Sequence, residues 1–120
     1  MSQAKEAQDN AFCFTTAEKT KLTTVLKDFA SFVKGDAKPW GNGATFDITI
    51  IETAFERCKI ECPWKFWNVR DVRTVVDLGQ IIGFDPKRDM PFEGVRHDAL
   101  DDSKHQAKYV SAIVMRLTGE

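Results

Sequence analysis

The sequence has almost no charge imbalance, few cysteines, few prolines and no long apolar run. Lys and Arg number 17 and Asp and Glu 18, for a net charge of -1. Divided at residue 60, the first half carries 8 basic and 8 acidic residues and the second 9 and 10. This balance excludes a polycation that coats nucleic acid by charge alone, and it excludes an acidic disordered tail. The cysteines are three, Cys13, Cys58 and Cys62. An odd number argues against a disulfide framework. Cys58 and Cys62 lie at zinc-site spacing, but no second ligand pair follows, so reduced, partly buried thiols are expected. Apolar runs are only a few residues long, as at Val75-Val76 and Ile81-Ile82, and fall far short of the roughly 20 residues of a membrane span. The polar start, MSQAKEAQDN, lacks the apolar region of a signal peptide. No membrane association and a cytoplasmic location are expected. Internal repeats and low-complexity segments are absent.

What is present is an ordinary globular composition: 120 residues, 42% apolar and 29% charged. That length suits one core. Residues 1–15 read as a polar segment and residues 16–120 as part of one domain. Thr15-Thr16-Ala17-Glu18 has the hydroxyl cap and first-turn acid of a helix start. Leu22, Val25, Leu26, Phe29 and Val33 then form one apolar helical face, closed by Gly35. Residues 38–43 read as a short strand entering a turn. From Asp47, Ile48, Ile51, Ala54, Phe55 and Cys58 share a second helical face. Residues 64–72 alternate loosely as a second strand. Residues 74–82 read as a helix closed by Gly83, and 84–95, with its prolines, as a loop. A last helix spans about 99–117, with Ser103, Ala107, Val110, Val114 and Leu117 inward. Strands alternating with helices predict an α/β fold with about two parallel strands and flanking helices, a thin sheet by the usual standard.

Two clusters could carry chemistry. His97-Asp98-Ala99-Leu100-Asp101-Asp102-Ser103 places a histidine before the start of a long helix. His97, with an ordinary pKa near ~6.5, suits proton abstraction near neutral pH. Asp102 could serve as an oxygen ligand for Mg²⁺ or Mn²⁺. The plainer reading is that these acids cap and charge the helix start. In the second cluster, Gly41-Asn42-Gly43-Ala44-Thr45-Phe46-Asp47, a flexible turn delivers Asp47 to a helix start. It lacks the Lys-Ser/Thr tail of a nucleotide P-loop. Its plainer reading makes Asp47 an N-cap. Carboxylates and a histidine on helix starts suit metal-assisted hydrolysis at phosphorus.

Asn42-x-x-x-Phe46-Asp47 resembles the second motif of the 3′-to-5′ exonucleases named for the acids Asp-Glu-Asp-Asp with a histidine. His97-x-Ala99-x-x-Asp102 is similar to their third motif in the histidine-bearing subclass. Trp40–Asp47, Cys62-Pro63-Trp64, Asp71–Thr74, Gly83–Asp89 and His105–Tyr109 resemble phage- and prophage-encoded members. The likeness spans roughly residues 20–117. It implies a ribonuclease-H-like fold, of which this chain holds the C-terminal part. It also implies metal-dependent removal of nucleotides from a 3′ end of DNA or RNA with Mg²⁺ or Mn²⁺. By the same likeness His97 is the general base, Asp102 a metal ligand, Asp47 a support of the metal site, and Asn42 shapes the turn or holds substrate. Asp71 matches a recurrent acid to which no metal is assigned.

The family's first motif, Asp-x-Glu, occurs nowhere in the sequence. With those carboxylates missing, weak metal binding and no independent cleavage are expected. The chain is expected to be an N-terminally truncated domain whose exposed sheet edge is covered in a homodimer or higher oligomer. The alternative is a non-catalytic prophage remnant serving as a single-strand-binding or interaction module. For binding, Lys87, Arg88 and Arg96 flank the His97 segment and could grip phosphates, or form a solvated loop. Trp40, Trp64, Phe66 and Trp67 could stack on bases, or fill the core. His105 is expected at the surface.

Overall fold

The computed structural model describes residues 15–120; Cys13 and the rest of the polar start, with its Phe12-Cys13-Phe14 patch, lie outside them. The chain is mixed α/β, mostly helical with two parallel strands. The elements in order are α1 (Thr16–Phe32), β1 (Trp40–Gly41), α2 (Ala44–Arg57), a 3₁₀ turn (Phe66–Asn68), β2 (Arg70–Asp71), α3 (Val72–Ile81), the single-turn α4 (Pro86–Asp89) and α5 (Ala99–Leu117). β1 and β2 pair as a two-stranded sheet. The Arg70 N–H donates to the Pro39 carbonyl at 2.9 Å. Two compact units result, one ending at Arg70 and the other spanning Asp71–Glu120.

In the first unit, α1 opens on a capping box. Thr15 Oγ1 accepts from the Glu18 N–H at 3.2 Å, and Glu18 Oε2 accepts from the Thr15 N–H at 3.0 Å. Two orphan donors of the helix end are thereby satisfied. The expected apolar face is present in Leu26, with Leu22 and Val33 half-buried, but Val25 is exposed. Leu26 packs with Ala44, Ile48, Ala54, Phe55 and Trp64 in one cluster, and Ile51 and Cys58 lie against it. The face expected on α2 is therefore the one that is buried. Phe29, Phe55 and Trp64 meet with centroids 6.0 to 6.4 Å apart, mostly in the edge-on geometry that aromatic quadrupoles favour. Trp64 donates its indole N–H to Glu52 Oε2 at 3.0 Å, so the buried ring leaves no bare donor.

α2 begins at Ala44, earlier than expected. Gly43 is its N-cap in a left-handed conformation, φ 91°. Its carbonyl receives the Phe46 and Asp47 N–H groups. Asp47 is thus not the N-cap; it lies inside the first turn, exposed. Gly41 is buried where a Cβ would stand 3.0 Å from Ala44 Cα, so its missing side chain lets β1 and α2 close together.

The expected strand over 64–72 reduces to β2. Asn68 is the reason: it is buried, and its Nδ2 donates to Asp36 Oδ1 at 2.6 Å. Its N–H bonds to the Lys65 carbonyl, bending the backbone into the 3₁₀ turn. The alternation in sequence comes from a pinned turn with Trp64 and Asn68 inward and Phe66 and Trp67 outward.

In the second unit, α3 begins with Asp71 as N-cap, its carboxylate accepting from the Arg73 N–H at 2.9 Å. This start is two residues before the expected one. At its far end Gly83 is left-handed (φ 76°). The Gly83 N–H reaches Gln80 and the Phe84 N–H reaches Gly79, the paired bonds of a Schellman closure. The 84–95 loop contains α4, which Asp85 caps and Pro86 starts. Val72 and Val76 of α3 pack with Tyr109 and Ile113 of α5. The inward face of α5 therefore passes through Tyr109 and Ile113. Ser103, Ala107, Val114 and Leu117 are exposed, and only Val110 of the expected stripe is half-buried. Tyr109 fixes this rotation, because its large ring fills more of the interface than Ser103 or Ala107 of the expected stripe would. No described helix is long and apolar enough to cross a membrane.

Candidate active site

The segment before α5 is tied down by that helix's own acids. Asp98 is the N-cap, and its Oδ1 accepts from the Asp101 N–H at 3.0 Å. Asp101 Oδ2 reaches back to the Val95 N–H at 2.9 Å, and Asp102 Oδ1 to the His97 N–H at 3.2 Å. A Cβ on Gly94 would overlap the Asp101 carboxylate, and Gly94 has φ 101°, so glycine is required for this closure. Asp98 caps as the plainer reading holds, while Asp101 and Asp102 also anchor the loop that leads in.

His97 has φ 70°. The left-handed region costs a non-glycine residue on the order of 1–2 kcal/mol. The hydrogen bond from its N–H to Asp102 offsets that cost and fixes its backbone. Its side chain is exposed, and Asp102 is half-buried. The structure thus brings His97 and Asp102 together across the helix start.

His105 is not a free surface residue. It lies half-buried between Phe92 and Tyr109, with ring centroids 4.9 and 5.3 Å away. Arg96 sits over the Phe92 ring at 4.8 Å, so its guanidinium is committed to the loop's packing. Lys108 Nζ pairs with Glu93 Oε2 at 2.9 Å, and that ammonium holds the Glu93 carboxyl below its ordinary value. A hollow of about 210 Å³ lies among Glu93, Gly94, Asp101, Lys104, His105 and Lys108. Lys104 and Lys108 were not singled out in the sequence. Their spacing of four on one helix face, next to His105, is the signal that could have found them.

The other expected phosphate contacts differ in availability. Arg88 forms a two-pronged pair with Asp89, Nε to Oδ1 at 2.8 Å and Nη2 to Oδ2 at 3.1 Å. This hydrogen bond raises the guanidinium's pKa and lowers that of Asp89. Lys87 is exposed on α4. Asn42 is half-buried at the turn into α2, in the first unit with Asp47. Asp71 is occupied as the α3 cap.

Two divalent ions need several carboxylate oxygens converging on them. Among the described residues no three His, Cys, Asp or Glu side chains are grouped to hold a metal ion. Asp98, Asp101 and Asp102 each commit an oxygen to a backbone N–H. These residues do not by themselves fit a two-ion centre.

No curated protein and no solved structure matches the chain. A family model, the 3′-5′ exoribonuclease Rv2179c-like domain, matches residues 1–114, nearly the whole length. The chain therefore belongs to the family of 3′-5′ exoribonuclease Rv2179c-like domains.

Proposed function

We propose that this chain is a ribonuclease-H-like 3′-to-5′ exonuclease domain that engages the 3′ end of single-stranded RNA, with His97 as its proton-accepting group. The supporting observation is the left-handed His97, held by the Asp102 carboxylate in a chain of exoribonuclease family. Strained backbone at a titratable residue is characteristic of working sites, where neighbouring structure over-determines it. Imidazole is the side chain suited to taking and releasing a proton near neutrality. Asp102 acts as a positioning residue for His97. RNA is favoured over DNA because the matched family is one of exoribonucleases.

Among the described residues the carboxylates do not complete a two-ion centre, and on this reading the 120-residue chain binds an RNA end without cleaving it. The experiment incubates the chain with 5′-labelled single-stranded RNA and DNA, with Mg²⁺ or Mn²⁺, and follows binding and length together. Binding of RNA without shortening is the expected result. Laddered loss from the 3′ end would overturn the incomplete centre. In that case His97→Ala should slow it by about 10²- to 10⁴-fold, the usual contribution of a general base. Absence of any binding to RNA or DNA would overturn the reading as a whole.

A further inference from the structure

The 3₁₀ turn displays two large aromatic side chains to solvent. Phe66 is 79% exposed and Trp67 62%. Their rings meet edge to face with centroids 5.0 Å apart. The turn that carries them is held from within. Trp64 lies in the core on one side, and Asn68 is buried and bonded to Asp36 on the other. Arg70 Nη1 donates to the Trp67 carbonyl at 2.9 Å and to the Val69 carbonyl at 3.3 Å. A tightly anchored turn with its apolar rings outward is ordered without burying them, and this points to an occupant from outside.

The local charge identifies that occupant. Lys65 precedes the pair and Arg70 follows it; the next acids in sequence are Glu61 and Asp71, and Asp71 is committed to the α3 cap. The nearby Asp36 is shared between Asn68 and Lys38. Exposed aromatic faces flanked by cations suit single-stranded nucleic acid, where bases stack and phosphates meet the positive charges. A protein partner's apolar surface would gain nothing from the two flanking cations. We propose that Phe66 and Trp67 form a base-stacking platform for single-stranded RNA, with Lys65 and Arg70 as its phosphate contacts. This rests on the nucleic-acid reading above and adds a binding site in the first unit, separate from His97.

The test measures fluorescence anisotropy of labelled oligouridine and oligoadenosine RNA with the full chain, with Phe66→Ala/Trp67→Ala, and with Trp67→Phe. Circular dichroism of each variant checks folding. Both rings lie outside the core, so the variants should fold as the parent does. The double variant is expected to lose affinity by about 5- to 150-fold for each base that stacks. Trp67→Phe, which keeps an aromatic face, should retain most of it. Equal binding by parent and double variant would overturn the platform and leave the exonuclease reading standing. No binding by the parent would overturn both. If the double variant instead abolished self-association while RNA binding persisted, the rings would belong to a protein contact and the proposal would fail.

Discussion

Tyr109 is the single tyrosine of the chain and one of its most buried side chains. Burial raises its pKa above the ordinary 10.0, because the phenolate is worse solvated inside than in water. The folded value lies above the unfolded one, so its contribution to stability is present below pH 10 and is lost as pH rises through the folded value. Tyrosinate absorbance should therefore show a midpoint above 10 in the native protein and near 10 in denaturant. The stability of Tyr109→Phe should fall less over the same alkaline range. Lys59 offers a second single-residue prediction. It follows the end of α2 with φ 56°, and the N–H groups of Lys59 and Ile60 bond back to Glu56 and Phe55. That is a Schellman closure with lysine where glycine is favoured. Lys59→Gly should stabilise the fold by about 0.5–1 kcal/mol in urea unfolding. The strained His97 has the same sign of φ, but its carboxylate anchor and its place in the proposed site make relief of strain there a functional loss.

At the scale of elements, α3 and α5 depend on Gly79. A Cβ there would come 2.6 Å from the Phe84 carbonyl and 3.2 Å from Ile113 Cγ1. That oxygen is backbone, on the residue whose N–H makes the Schellman bond to Gly79, and cannot swing aside as a flexible side chain could. Gly79→Ala should therefore destabilise by about 1–3 kcal/mol despite alanine's better helix propensity, as overpacking does. A lowered urea midpoint with an unchanged slope would show it. Most elements were legible in sequence because caps and closures are local. Thr15 with Glu18, and Gly83, mark their helix ends through hydrogen bonds a few residues long. The second strand was legible only in part, since all but Arg70–Asp71 of the expected stretch is something else. Its apparent alternation hides the bond from Asn68 to Asp36, 32 residues away, and no local pattern reveals that. The rotation of α5 was missed for a similar reason, since Tyr109 becomes a core residue only through what it packs against.

At the scale of the whole molecule, the near-neutral charge constrains how the proposed RNA ligand would be held. Arg88 is already paired with Asp89 and Arg96 is stacked on Phe92. A single strand held through roughly 2–3 phosphates would give a slope of log affinity against log salt of about −1.4 to −2.1. A titration from low to physiological salt should fall in that shallow range. A much steeper slope would mean that more cations meet the backbone than Lys65 and Arg70 of the proposed platform provide. The candidate site was legible to a comparable degree. His97, Asp102 and Asp47 stand out as charged or titratable residues at helix starts. The commitment of Asp101 and Asp102 to the Val95 and His97 N–H groups, and of His105 to two rings, was not visible.

The sequence by itself determined the four long helices, the Thr15 cap and the Gly83 closure, the candidate residues and the balanced charge. Each of these rests on interactions within one or two turns of chain or on simple counting. Only the tertiary structure decided which way α5 faces, that residues 64–70 form a pinned turn, and that Phe66 and Trp67 remain outside while Trp64 goes in. These three aromatic residues lie within four positions of one another and have similar intrinsic preferences. What separates them is a hydrogen bond from Trp64 to Glu52 and another from Asn68 to Asp36. Both join residues far apart in the chain, and burial follows from where such partners meet.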